Sequence, residues 1–136
     1  MGRGTDTPFE IFGAPWIDAR ALARYLNGRF LPGVRFVPVD FTPQKPYPYA
    51  GEVCHGVRVM VLDRNVLDSP ELGIEIASTL RKLYPQDYKL EGIDRLLANR
   101  SVLEGLVEGV DPARIAEGWR SALEEFEMKR KGALLY

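Results

Sequence analysis

Pro38 stands in the middle of the apolar run LPGVRFVPVDF, residues 31–41, and restricts the fold more than any other residue. The run is entered through a Pro-Gly turn and places Val34 and Phe36 on one face, as a half-buried strand does. Proline has no N–H to give to a ladder, so this strand lies at a sheet edge or breaks at Pro38. The clearest strand follows in HGVRVMVLD, residues 55–63, where Val57, Val59 and Val61 alternate with Arg58, Met60 and Leu62. One of its faces is fully apolar and the other partly so. Between the two runs, TPQKPYPYAGEVC is a proline-punctuated loop carrying Tyr47 and Tyr49. The sheet is therefore small.

Helices account for most of the rest. Asp18 is placed to cap ARALARYLN, whose Ala19, Leu22, Ala23 and Leu26 make one apolar stripe, and Gly28 is expected to end it as the residue just past the helix. Ser69-Pro70 reads as a cap and first helical position, with Leu72, Ile76, Leu80 and Leu83 recurring up to Tyr84-Pro85. Two short pieces, IDRLLAN and SVLEGLVEG, follow, with Ser101 expected to cap the second. Asp111-Pro112 opens the longest helix, expected to bury Ile115, Trp119, Leu123 and Phe126, and EMKRKG sets cations at its negative end. ALLY, after Gly132, is expected to pair as a short strand or simply to dock. The fold class is α+β: a single domain with a small sheet and four or five helices around one core.

Composition narrows the function classes. A chain of 136 residues, 46% apolar and 27% charged, is one ordinary globular domain. Its net charge of −1, with both signs interspersed, gives no footprint for nucleic acid or an anionic membrane. No apolar run reaches the roughly 18 residues of a membrane span, and no basic stretch followed by an apolar one reads as a secretory signal. Cys54 is the only cysteine and His55 the only histidine. A cysteine zinc site and an internal disulfide are excluded, and neither a metal nor a cofactor is expected.

Catalytic constellations are scarce. Glycoside hydrolysis needs two carboxylates facing each other across the bond. Most acids here fall at caps or on polar helix faces. Glu10, Asp40, Glu52 and Asp63 sit in loops or at strand ends, and the sequence pairs none of them. Cys54 and His55, as strand neighbours, point to opposite faces, so the thiol reads as buried and structural. The densest unusual cluster is MGRGTDTPFEIFGAPW at the start. Arg3 lies between two glycines, which free the backbone to project a guanidinium fork suited to carboxylates or hydroxyls. Phe9 and Trp16, like Tyr47 and Tyr49, lie on proline-stiffened stretches, where aromatics present flat faces to the apolar side of a sugar. The alternative is that Phe9, Phe12 and Trp16 only staple this segment to the first helix.

GRGTDTPFEIFGAPWID, then LPGVRFVPVDFTP, YAGEVCHGVRVMVLDR and a final helix ending in ALLY together resemble the C-terminal domain of the NamZ-type exo-β-N-acetylmuramidases, long catalogued as a domain of unknown function. The resemblance runs over essentially the whole chain. It implies that residues 1–136 are the C-terminal domain of a two-domain protein whose Rossmann-like N-terminal domain, holding the catalytic glutamates, is absent. The opening motif would then mark a cut at the domain boundary. It also implies a parent that is exported, to the periplasm or beyond, and that releases N-acetylmuramic acid from the non-reducing ends of peptidoglycan fragments. This chain alone would be inactive, an accessory domain that helps form the substrate cleft. Two other readings stay open: a self-sufficient module binding muropeptides, and a fragment with no site of its own. By the resemblance, Arg3 and Thr5 lie near the interdomain cleft, with Arg3 contacting substrate, at the lactyl carboxylate, or orienting an acid of the missing domain. Phe9 and Trp16 would wall that cleft. Cys54, Gly56 and Val57 would be structural.

Overall fold

The computed structural model describes residues 2–90 and 92–134. The chain divides into two compact units, Met1–Lys89 and Leu90–Tyr136.

The first unit runs β1 (Ile11–Ala14), α1 (Ala19–Gly28), β2 (Val34–Phe41), β3 (Cys54–Val61) and α2 (Ser69–Leu83). Its sheet is antiparallel in the order β1-β3-β2, so the valine-rich run is the central strand. Pro38 does not break β2. It sits opposite Val57 on a strand with a neighbour on one side only, where a missing N–H is tolerated. The outer edge of β2 is closed by Asn27 of α1, whose amide donates to Phe36 O at 2.8 Å and accepts from Phe36 N at 3.0 Å. That pair of bonds occupies backbone groups an open edge would offer to another chain.

β1 is a strand that the sequence does not announce, since no element is expected ahead of the helix that Asp18 caps. Four residues with a glycine among them carry no alternation. Their strand character comes from β3, where Gly13 faces Gly56 across the ladder. At this pair the backbones approach closely: a Cβ on Gly56 would fall 2.0 Å from Phe12 O, and one on Gly13 would fall 2.3 Å from His55 O. Phe12 and Ala14 thereby enter a core of Ile17, Leu22, Leu26, Val34, Phe36, Val57 and Leu80. The α2 stripe of Leu72, Ile76 and Leu83 packs on the same core as expected. Arg29, just past α1, reaches the buried Glu75 of α2 at 2.8 Å.

Caps differ in detail. Asp18 caps α1 as expected, accepting from Arg20 N and Ala21 N at 3.0 Å. Gly28 is the last helical residue, with Arg29 as the cap, and Phe30 takes the left-handed position at φ 55° that Gly28 was expected to fill. Asp68, not Ser69, caps α2, its carboxylate accepting from Glu71 N at 2.9 Å. A carboxylate suits the positive end of a helix better than a hydroxyl does.

The second unit holds α3 (Asp94–Leu97), α4 (Arg100–Glu108) and α5 (Pro112–Ala133). Asn99 caps α4 in place of Ser101, whose hydroxyl donates to Asn99 Oδ1 at 2.8 Å. Asp111 caps α5 as expected, and Arg130 and Lys131 stand in its last turn. The expected buried stripe of α5 holds only at its start. Ile115 is buried against Gly105 of α4 and Trp119 is half-buried, but Leu123 is 47% and Phe126 60% exposed. Within this unit the partner is too short: nine residues of α4 span about 14 Å, against about 33 Å for the 22 residues of α5. Amphipathic spacing names a face and not what covers it. Of ALLY, Ala133 ends α5 and residues 135–136 lie outside the described residues. Among the described residues, no helix is long and apolar enough to cross a membrane. The fold is α+β, with a three-stranded sheet and five helices among the described residues.

Candidate functional site: a cleft under the N-terminal arm

The arm that precedes β1 folds back on itself before it reaches the sheet. Gly2 and Gly4 both take left-handed backbone angles, φ 59° and 81°, on either side of Arg3. The Thr5 hydroxyl donates to Gly2 O at 2.6 Å and accepts from Thr7 N at 3.3 Å, closing the turn. Thr5 is thus spent on the backbone. Gly4 O accepts from Gln44 N at 2.8 Å, which ties the arm to the proline-rich loop between β2 and β3. The contact leaves no room for a side chain, since a Cβ on Gly4 would lie 2.7 Å from the Tyr47 ring and 2.8 Å from Gln44 O.

Arm, loop and sheet enclose a cleft of about 310 Å³. Gly13, Cys54 and Phe41 contribute to its lining from the strands, and Arg3, Tyr47 and Tyr49 from the arm and loop. Arg3 is exposed, and its guanidinium carbon lies 5.5 Å from the centre of the Phe9 ring. A cation over an aromatic face is attracted by the ring quadrupole, by about 0.5–1 kcal/mol at an exposed site. Phe9 and Tyr49 both hold left-handed backbone angles, φ 69° and 59°. Each costs about 1–2 kcal/mol for a residue with a Cβ, and such positions persist where the surroundings fix them.

The four residues singled out by sequence end in different places. Arg3 lines the cleft, Thr5 locks the turn below it, and Phe9 stacks on the guanidinium from outside. Trp16 is half-buried against the core, its ring tilted 58° to Tyr84 with centroids 5.3 Å apart. Its indole Nε1 donates to the Tyr49 hydroxyl at 3.3 Å. Of the four aromatics the sequence sets on proline-stiffened stretches, Tyr47 and Tyr49 line the cleft, together with Phe12 and Phe41 from the strands, and Phe9 and Trp16 do not. The signal for the two tyrosines was the proline spacing around them.

No acidic side chain is among the described residues lining the cleft. Asp40 pairs with His55 Nδ1 across the strands at 2.7 Å, and Asp63 accepts from Asn65 N at 2.9 Å. Cys54 is fully buried, and burial, with the nearby Glu52 charge second, pushes its thiol up from the ordinary range. It therefore keeps its proton and is no nucleophile at neutral pH. Among the described residues no three His, Cys, Asp or Glu side chains gather as metal ligands. The arrangement suits a small neutral or anionic ligand with an apolar face; it offers no acid–base pair to cut one.

Known proteins agree with the motif reading. The family described as "Exo-beta-N-acetylmuramidase NamZ, C-terminal" matches residues 1–136. A peptidoglycan β-N-acetylmuramidase NamZ of Bacillus subtilis is 34% identical over 138 residues, covering 99% of this chain and 33% of its own length. A crystal structure of a DUF1343 family protein from Bacteroides fragilis superposes with a TM-score of 0.85 at 26% identity, over 99% of this chain and 37% of that one. The chain thus spans about a third of the length of the relatives it matches. With the family matched from the first residue to the last, this chain belongs to the NamZ exo-β-N-acetylmuramidase C-terminal family.

Proposed function

We propose that this chain acts as the cleft-completing C-terminal domain of an exo-β-N-acetylmuramidase. In this reading it contributes one wall to a site whose catalytic carboxylates belong to a Rossmann-like N-terminal domain. The parent acts on peptidoglycan fragments outside the cytoplasm, and the chain by itself does not cleave them. One observation carries the reading: Arg3 lines a cleft together with two tyrosines and no acid among its described lining residues. A guanidinium in that setting recognises an anionic substituent, and the lactyl carboxylate of N-acetylmuramic acid is the matching group. Thr5 keeps Arg3 aimed through its bond to Gly2 O, and Phe9 supports the guanidinium from the other side.

A chimera tests this. The N-terminal two thirds of the Bacillus relative, about the share this chain leaves uncovered, is joined ahead of residue 1. The chimera is expected to release N-acetylmuramic acid from peptidoglycan fragments. Arg3→Ala in the chimera is expected to lower kcat/KM about 10- to 100-fold, the size of a lost charge-assisted hydrogen bond. An active chimera indifferent to Arg3→Ala would remove Arg3 from the site. A folded but inactive chimera would refute the cleft-completing role.

A further inference from the structure

We infer that Tyr49 and Tyr47 form the sugar-stacking wall of this cleft and that Trp16 is a positioning residue that holds Tyr49 in place. The inference rests on the reading of the cleft as a saccharide site and goes beyond it by assigning the aromatic platform. Both tyrosines line the cleft and are part exposed, at 38% and 41%, so their faces are accessible to a ligand. Trp16, the larger ring, is turned away: it packs on the core and on Tyr84 and is not among the residues lining the cleft. What it offers the cleft is a hydrogen bond from Nε1 to the Tyr49 hydroxyl.

Tyr49 has every reason to move without that bond. Its backbone sits at φ 59°, a conformation unfavourable for a tyrosine, and its ring is partly in solvent. Three contacts oppose this: Glu52 N donates to Tyr49 O at 2.9 Å, Gly51 N to Pro43 O at 2.9 Å, and Trp16 to the hydroxyl. Trp16 is itself fixed, because the Tyr84 ring beside it is anchored by bonds to both backbone groups of Asp18, at 3.1 and 3.2 Å. A rigid chain thus runs from the start of α1 through Tyr84 and Trp16 to Tyr49. Tyr47 is held independently, against Gly4 of the arm. Two aromatic rings in the lining, each held by its own contact, and a guanidinium from the arm suit a pyranose: its C–H face lies on the tyrosines and its carboxylate meets Arg3.

The test is a titration of the chain with N-acetylmuramic acid into the millimolar range, followed by amide chemical shifts. Each variant is kept well below its own midpoint of thermal unfolding, measured in parallel. Saturable shifts are expected at residues around the cleft. Tyr49→Ala is expected to raise Kd about tenfold, for the aromatic face removed from contact. Tyr49→Phe and Trp16→Phe each remove the same hydrogen bond and are expected to raise Kd about threefold. The double variant is expected to bind no more weakly than either single one, since the bond can be lost only once. A Trp16→Phe chain with a lower unfolding midpoint and unchanged Kd would overturn the positioning role. Binding lost in Arg3→Ala and retained in Tyr49→Ala would overturn the aromatic wall and leave the saccharide site standing. An unaltered chain giving no saturable shifts would overturn the inference, while the chimera still decides the cleft-completing role.

Discussion

Gly56→Ala should damage this fold more than any other single-methyl addition in it. The added Cβ would lie 2.0 Å from Phe12 O and 2.6 Å from the Gly13 Cα, both backbone atoms. Ordinary contact needs well over 3 Å, so β1 must move away from β3 by about 1 Å or more. A ladder bond of about 2.9 Å then stretches to about 4 Å and is lost. Two such bonds at about 1 kcal/mol each, with overpacking strain of about 1–3 kcal/mol, give a destabilisation of about 3–5 kcal/mol. For a chain of 136 residues this lowers Tm by about 10–20 °C. Urea and thermal unfolding followed by circular dichroism would measure it. Gly28→Ala is the control, because nothing lies within 4 Å of its Cβ and its backbone is helical. That change should stabilise the chain by about 0.5–1 kcal/mol. If Gly56→Ala fell within about 0.5 kcal/mol of the unaltered chain, the close approach of β1 to β3 would be wrong, and with it the account of how Phe12 reaches the core.

Two further outcomes follow from polar groups that are buried or half-buried. Arg29→Met removes the cation 2.8 Å from Glu75, a carboxylate only 3% exposed, and should cost about 2–4 kcal/mol in urea unfolding; Glu75→Gln in the same background should recover part of the loss. Burial pushes the pKa of Cys54, Tyr84 and Tyr88 above the ordinary values of 9.0 for the thiol and 10.0 for the phenols. For each, the folded state holds its proton more tightly than the unfolded chain. Their contribution is therefore full below the unfolded pKa and is lost as pH rises through the folded one. The urea midpoint should be flat to about pH 8 and fall above about pH 9, with tyrosinate absorbance rising as the chain unfolds. A midpoint constant to pH 11 would contradict these upward shifts.

Local signals are legible in the sequence where one residue acts on its neighbours. Asp18 and Asp111 cap the helices they precede, and the apolar stripes of α1 and α2 face the core. Pro38 marks an edge because the missing N–H is a property of that residue alone. Errors came where two neighbours compete for one task. Asp68 and Ser69 both offer an oxygen, as do Asn99 and Ser101, and the one placed just outside the helix wins in each case. What stayed hidden was non-local. Nothing in IFGA distinguishes a strand until β3 is beside it, and nothing in α5 tells that its partner ends after the first turns. In the candidate site, Arg3 was legible from its flanking glycines. The exchange of roles between Trp16 and Tyr49 was not, because it depends on a bond spanning 33 residues.

The family motifs, scattered along the sequence, meet in one place. Gly2 of the arm, Gly13 of GAPW, Cys54 of CHGV and the proline-rich loop line the cleft, and Gly4 and Gly56 lie against residues that do. Most of them are there for what they lack. Gly13 and Gly56 let two backbones touch, and Gly4 lets the loop lie against the arm. Cys54 fills a fully buried corner with a small side chain that keeps its proton. Thr5 closes a turn. If each of these residues is accounted for by geometry, few are left to act on a ligand: Arg3, and the two tyrosines the loop presents. Substitutions should separate the same way. Changes at Gly4, Gly13 or Gly56 should cost stability and affinity together, because they displace whole segments. Changes at Arg3 or Tyr49 should cost affinity while Tm moves by no more than a few degrees, since neither side chain is buried in the core. A variant of Arg3 that unfolded the chain would make this residue one more part of the scaffold, and the cleft would lose the only charged side chain among its described lining residues.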